Sequence, residues 1–177
     1  MNKLIGRLKL QRIESIIFLA ENNNARKSNE YTLSSNLHLH IYSAKNKSGS
    51  IKIDKKLSAG NVCYSVVSEK GIIVHQSWIF KKKLLTRQLG FKLAYTIGDC
   101  WTIPEFRGKG IYTNVLDIIK NDNLGKSIVI YCALTNAASI RGIEKDGFSK
   151  LYYFTLTRLL GLKIKFQIHE HFRKTSL

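Results

Sequence analysis

Acidic side chains are scarce in this chain. Asp and Glu number 12 against 29 Lys and Arg, a formal net charge of +17 over 177 residues. A cationic partner such as a polyamine needs an acidic cleft and is therefore disfavoured. The surplus favours polyanions: nucleic acid, an anionic membrane face, or a phosphorylated small molecule. Proline occurs once, and repeats and low-complexity tracts are absent, which excludes a collagen-like or linker chain. Three cysteines, Cys63, Cys100 and Cys132, lie far apart without a CxxC pair or a histidine–cysteine cluster. Neither a disulfide framework nor a metal site is expected, and reduced thiols in a cytoplasmic setting are. No apolar run reaches the roughly 18 residues that span a bilayer. The basic start (Lys3, Arg7, Lys9) imitates an export signal, but Arg12 and Glu14 interrupt the apolar core that such a signal needs.

What remains is an ordinary globular composition, 44% hydrophobic, and a length that predicts one domain over residues 1–177. Residues 3–21 place Leu4, Leu8, Ile16 and Leu19 on a broad apolar face and predict an amphipathic N-terminal helix. Such a helix would pack on a sheet; its basic side also suits an anionic membrane surface. Residues 22–29 are polar and read as a loop. Leu37–Tyr42 reads as a strand with His38 and His40 on its outer face. Residues 61–68 and 71–80 read as strands joined by a tight Glu-Lys-Gly turn, and residues 91–103 as a further extended stretch. Gly98-Asp99 inside that stretch predicts a bulge or a turn. A helix is expected over residues 110–120, a buried strand over 127–133, and a helix capped by Asn136 and closed by Gly147. Two strands, 148–158 and 162–169, end the chain. The order predicts a mixed α/β domain with one sheet.

The chemistry concentrates in Ile103-Pro104-Glu105-Phe106-Arg107-Gly108-Lys109-Gly110-Ile111-Tyr112-Thr113, between a strand and an amphipathic helix. Two glycines permit a tight turn and a close approach by a ligand. The first amides of the helix have no internal partners, and with the helix dipole they form an anion site. Arg107 and Lys109 add charge. This suits phosphate or pyrophosphate, but the pattern is neither GxxxxGKS/T nor GxGxxG, so nucleotide hydrolysis and dinucleotide binding are disfavoured.

Pro104-Glu105-Phe106-Arg107-Gly108-Lys109-Gly110-Ile111 resembles the acyl-CoA-binding motif of the GNAT N-acyltransferase superfamily, P-x-x-R-G-x-G-I between a strand and a helix. Asn136-Ala137-Ala138-Ser139-Ile140, followed by Glu144-Lys145-Asp146-Gly147-Phe148, resembles the second signature of that family. The resemblance covers residues 91–154, the expected CoA-binding core. It implies one mostly antiparallel mixed sheet whose fourth and fifth family strands splay apart, with the pantetheine arm of acetyl-CoA in the gap. It also implies that Arg107, Gly108, Lys109, Gly110 and Ile111 hold the pyrophosphate, with Tyr112 and Thr113 at the helix start. Thr102 and Ile103 then border the pantetheine, and Asn136 and Ser139 contact the pantetheine and phosphate portion. A free backbone amide near the bulge would stabilise the oxyanion.

Two positions depart from the family pattern. Tyr112 stands where Gly or Ala is usual, and Ile143 where many members carry the tyrosine acid for the departing thiolate. For the base that deprotonates the amine, Asp99 beside the bulge and His75 on the preceding strand are the candidates. Trp78 and Trp101 are candidates for the pocket wall. No metal is expected.

The basic excess tolerates anionic coenzyme A and favours an anionic second substrate. Residues Ile97-Gly98-Asp99-Cys100-Trp101-Thr102, running into the glycine loop, resemble family members of bacterial surface-polysaccharide pathways. That resemblance implies a nucleotide-linked amino sugar as acceptor; no nucleic-acid partner is expected, because the basic residues are spread along the chain and no nucleic-acid motif occurs. Alternatives are a protein, polyamine or antibiotic amine as acceptor, or a non-catalytic basic module that binds nucleic acid. The exposed edges of such a sheet also suit a homodimer.

Overall fold

The computed structural model describes residues 10–21, 33–46, 51–81, 84–88, 90–91, 93–159 and 162–171. Eight strands form one sheet: β1 (Leu10–Glu21), β2 (Leu37–Tyr42), β3 (Val62–Ser68), β4 (Ile73–Phe80), β5 (Tyr95–Thr102), β6 (Ser127–Ala133), β7 (Ser149–Leu159) and β8 (Leu162–His171). Their order in the sheet is β2-β3-β4-β5-β6-β1-β7-β8. Every neighbouring pair is antiparallel except β5–β6, which is parallel. Among the described residues four α-helices accompany the sheet: α1 (Ile51–Ser58), α2 (Leu84–Gln88), α3 (Ile111–Asp122) and α4 (Ala137–Lys145).

The first element corrects the sequence reading. Residues 10–21 form a central strand rather than part of a helix, and the expected helical residues 3–9, like the loop 22–29, lie outside the described residues. β1 pairs with β6 through Ser15–Glu21 and with β7 through Leu10–Leu19. Both of its faces are covered, so Ile16, Ile17 and Phe18 are all buried. A strand buried on both faces loses the apolar–polar alternation that normally reveals it, and its consecutive apolar residues imitate a helix face. The β-branched Ile13, Ile16 and Ile17 favour the extended form.

One face of the sheet carries α3 and α4. α3 presents Ile111, Val115, Leu116, Ile118 and Ile119 at helical spacing, and these pack with Ile143 of α4 on Ile16, Phe18, Ile97, Ile128 and Ile130. α4 begins at Asn136, whose side chain accepts from the Ser139 amide at 3.1 Å. It ends at Gly147, φ 84°, where the Gly147 amide bonds Glu144 O and the Phe148 amide bonds Ile143 O. Those two bonds satisfy carbonyls that would otherwise be left open. The buried Lys120 joins the two helices, its Nζ 2.9 Å from Asp146 Oδ2. The opposite face has two smaller clusters. One centres on Ile17, Val129, Tyr152, Phe154 and Leu156, and the other on Leu57 of α1 with Cys63 and Trp78.

Candidate active site

The parallel pairing of β5 with β6 lasts three residues, Tyr95↔Ile128, Thr96↔Val129 and Ile97↔Ile130. Both strands continue, β5 to Thr102 and β6 to Ala133, without further pairing to each other. The cause lies on β5. Gln76 pairs with Trp101 and Trp78 with Gly98, so Ser77 alone faces both Asp99 and Cys100. This is a β-bulge, which bends the strand that contains it. Asp99 takes up the bend in a left-handed conformation, φ 49°, which Asp tolerates better than most residues. The facing edges of β5 from Gly98 and of β6 from Tyr131 therefore diverge into a wedge.

The glycine loop closes the wide end of that wedge. The Ile103 amide bonds Val74 O, holding the end of β5 to β4. A single 3-10 turn (Pro104–Phe106) follows. Gly108 (φ 75°) and Gly110 (φ 73°) then reverse the chain into α3. Gly110 is the N-cap and supplies no side-chain bond to the helix. The first intrahelical bond runs from Asn114 N to Gly110 O, so the amides of Ile111, Tyr112 and Thr113 precede the ladder. Arg107 folds back and donates from Nε to Thr102 O at 3.0 Å, which ties the loop to the end of β5. Lys109 Nζ lies 4.6 Å from the centre of the Phe106 ring. Free amides, a helix N-terminus and two cations thus converge on one exposed turn, an arrangement suited to a polyphosphate.

The remaining candidates separate onto the two faces. His75 lies on the α3 face, wholly buried, with Nδ1 2.7 Å from Thr102 Oγ1 and Nε2 2.9 Å from Ser77 Oγ. Burial pushes its pKa down to about 4, so the ring is neutral at pH 7. Tyr112 packs beside it, ring centroids 6.0 Å apart. The Tyr112 ring also covers Gly142 of α4, where an added Cβ would sit 3.2 and 3.3 Å from ring carbons. The large residue in the loop motif is therefore matched by the smallest residue on the facing helix. Burial raises the Tyr112 phenol well above its ordinary range. Ile143, where a tyrosine acid is usual, is wholly buried in the core.

Asp99 is exposed and belongs to the other face, where Lys56 Nζ of α1 meets Asp99 Oδ2 at 2.7 Å. The same ammonium lies 4.9 Å above the Trp78 ring. Trp101 stands nearby, 43% exposed. The structure thus brings together Thr102, Ile103, the 107–113 loop and His75, and sets Asp99 apart from His75 across the sheet. Asn136 and Ser139 cap α4 through each other. His38 and His40 are exposed on β2, and among the described residues no group of three or more His, Cys, Asp or Glu could hold a metal ion.

Lys56 has no counterpart in the sequence reading, because α1 is short and its charges hide a one-sided apolar pattern. The signal that could have exposed it is Gly60 (φ 78°), a helix-stop glycine whose amide bonds Leu57 O. A cavity of about 310 Å³, lined by Arg12, Glu14, Leu134, Tyr153, Thr155 and His169, adjoins the end of β6. It also escaped sequence reasoning, since it needs β1 to lie between β6 and β7.

No protein-family model matches the chain, and no curated protein matches it. Solved structures do. A Drosophila protein superposes with a TM-score of 0.64 at 15% identity, over 86% of this chain and 52% of that one. A GCN5-related N-acetyltransferase from Sphaerobacter thermophilus gives 0.58 at 9% identity, over 85% and 53%. An acetyltransferase of the GNAT family from Colwellia psychrerythraea gives 0.54 at 12%, over 89% and 57%. The chain has the GNAT acetyltransferase fold. It spans somewhat over half the length of these GNAT structures. The wedge between β5 and β6 is the splay that the GNAT resemblance implies, and its bulge falls at Asp99-Cys100, one residue beyond the expected Gly98-Asp99. Among the described residues, no helix is long and apolar enough to cross a membrane.

Proposed function

We propose that the protein is an acyl-CoA-dependent N-acetyltransferase that moves the acetyl group of acetyl-CoA to the amine of a nucleotide-linked amino sugar, in a cytoplasmic pathway of surface-glycan synthesis. One observation carries the reading: a cationic turn of helix-start amides, residues 107–113, sits at the mouth of a wedge where β5 and β6 no longer pair with each other. Coenzyme A combines a pyrophosphate with an extended amide-bearing arm, and these two features answer to the turn and to the wedge. Arg107 through Thr113 hold the pyrophosphate. Thr102 and Ile103 border the arm, and Asn136 and Ser139 flank it from α4.

The amine nitrogen attacks the thioester carbonyl, and the C–N bond forms as the carbonyl electrons move to oxygen. Backbone amides at the bulge receive that oxyanion. Collapse breaks the C–S bond, and the thiolate leaves and takes its proton from water. Asp99 accepts the proton of the ammonium, directly or through one water. His75 suits that task less, because both of its ring nitrogens are engaged and its basicity is lowered. It instead positions Thr102 at the end of β5. The charge of +17 accommodates two anionic substrates at once.

Calorimetry with acetyl-CoA, using ATP as the polyanion control, tests the reading. Stoichiometric binding of acetyl-CoA that exceeds ATP binding, weakened about tenfold or more in Arg107→Ala, is the expected result. Equal, salt-sensitive binding of both ligands, or an unchanged affinity in Arg107→Ala, overturns it.

A further inference from the structure

On the α3 face Tyr112 packs against His75 and covers Gly142, so the α1 face is the side of the bulge considered for an acceptor. There the chain displays Trp101. Of its two tryptophans, Trp78 is 3% exposed and roofed by Lys56, while Trp101 is 43% exposed on the stretch of β5 that no longer pairs with β6.

The ring of Trp101 is held from behind. Its indole N–H donates to Gln76 Oε1 at 3.2 Å. Gln76, 8% exposed, donates in turn from Nε2 to Ser65 Oγ at 3.1 Å. Ser65, wholly buried, lies 3.3 Å from Cys63 Sγ. Ser65, Gln76 and Trp101 are direct register partners across β3, β4 and β5, so this polar line crosses the sheet face from its interior to the lip of the wedge. A buried amide and hydroxyl stabilise little by themselves relative to an apolar core. Here they fix the orientation of an exposed aromatic ring. Its one donor is already used, so what it offers outward is a flat apolar face.

Such a face recognises another ring by stacking. Trp101 lies two residues along the chain from Asp99, at most about 7 Å by strand rise and less across the bulge. That separation fits an amine and the ring that bears it. A nucleobase joined to the sugar through a diphosphate would lie well beyond it. We propose that Trp101 is the acceptor-binding residue that stacks on a pyranose ring carrying the amine, with Gln76 and Ser65 as its positioning residues. This rests on the acetyltransferase reading above and names the part of the acceptor that the site grips.

The burial of Trp78 makes the test direct, because acrylamide quenching of tryptophan emission reports mainly Trp101. Emission is followed in the coenzyme A-bound protein on addition of glucosamine, UDP-glucosamine, UDP or spermidine. Both amino sugars are expected to protect the accessible emission, UDP and spermidine to leave it unchanged, and Trp101→Phe to lack the accessible component. In turnover assays Trp101→Phe raises the KM for UDP-glucosamine about tenfold and leaves the KM for acetyl-CoA unchanged. Gln76→Leu, which frees the ring, raises the same KM by less. The proposal is overturned if coenzyme A binds and neither amino sugar protects Trp101, if UDP alone protects it equally, or if Trp101→Phe leaves the amino-sugar KM unchanged. Failure of coenzyme A to bind the wild-type protein removes the underlying reading instead.

Discussion

At the residue scale, Asp99 and His75 show how two titratable groups of similar promise in a sequence acquire different chemistry from their surroundings. Asp99 stands exposed on the bend of the bulge with Lys56 on one oxygen. Asp99→Asn is expected to lower kcat about 100-fold or more with acetyl-CoA affinity unchanged, since Asn tolerates the same left-handed backbone. Steady-state kinetics and calorimetry on the variant check both halves, and full turnover would place the base elsewhere. Losing the half-exposed Lys56 pair costs at most about 1 kcal/mol of stability.

His75 has a pH signature of its own. Its pKa falls from 6.5 in the open chain to about 4 in the fold. Between those values the unfolded chain binds a proton that the folded chain does not, so stability rises with pH across this window and is level above it. The loss on acidification to about pH 4 is on the order of 3 kcal/mol. Urea unfolding at pH 4 and pH 7 should show that this difference shrinks in His75→Gln, whose amide can still bond Thr102 and Ser77.

At the element scale, the contact between α3 and α4 sets how the glycine loop sits. Alanine in place of Gly142 would normally favour the helix by about 1 kcal/mol. Here its Cβ would press on the Tyr112 ring at 3.2 Å, and overpacking of that kind costs about 1–3 kcal/mol. Gly142→Ala is therefore expected to destabilise the wild-type protein by about 1 kcal/mol and to stabilise Tyr112→Ala by a similar amount. A double-mutant cycle of urea midpoints measures the sign change. The elements themselves were unequally legible. α3, β6 and α4 carried distinct signals: helical spacing from Ile111 to Ile119, an unbroken apolar strand, and the Asn136–Gly147 caps. α1 was not legible, because much of its length is charged and its apolar face, ending at Leu57, acquires meaning only against Cys63 and Trp78.

At the scale of the whole molecule, β1 ties the two halves of the sheet together, with β6 on one side and β7 on the other. A surface helix could be removed at little cost, but a central strand cannot, since its loss exposes two rows of backbone groups and Ile16, Ile17 and Phe18 leave the core. Deletion of residues 1–21 is expected to abolish the cooperative thermal transition followed by circular dichroism. A truncated chain that still melts cooperatively near the wild-type temperature would contradict the strand's structural role. The sequence by itself determined the glycine turn, its place between a strand and a helix, the caps of α4 and the excess of positive charge, because each rests on neighbours within a few positions along the chain. Only the tertiary structure decided that residues 10–21 are a strand, that Asp99 and His75 face opposite sides of the sheet, that Tyr112 fits against Gly142, and that Trp101 stays exposed while Trp78 is covered. Those outcomes depend on which strands lie side by side and on what covers each face, and contacts between distant segments carry no local signature.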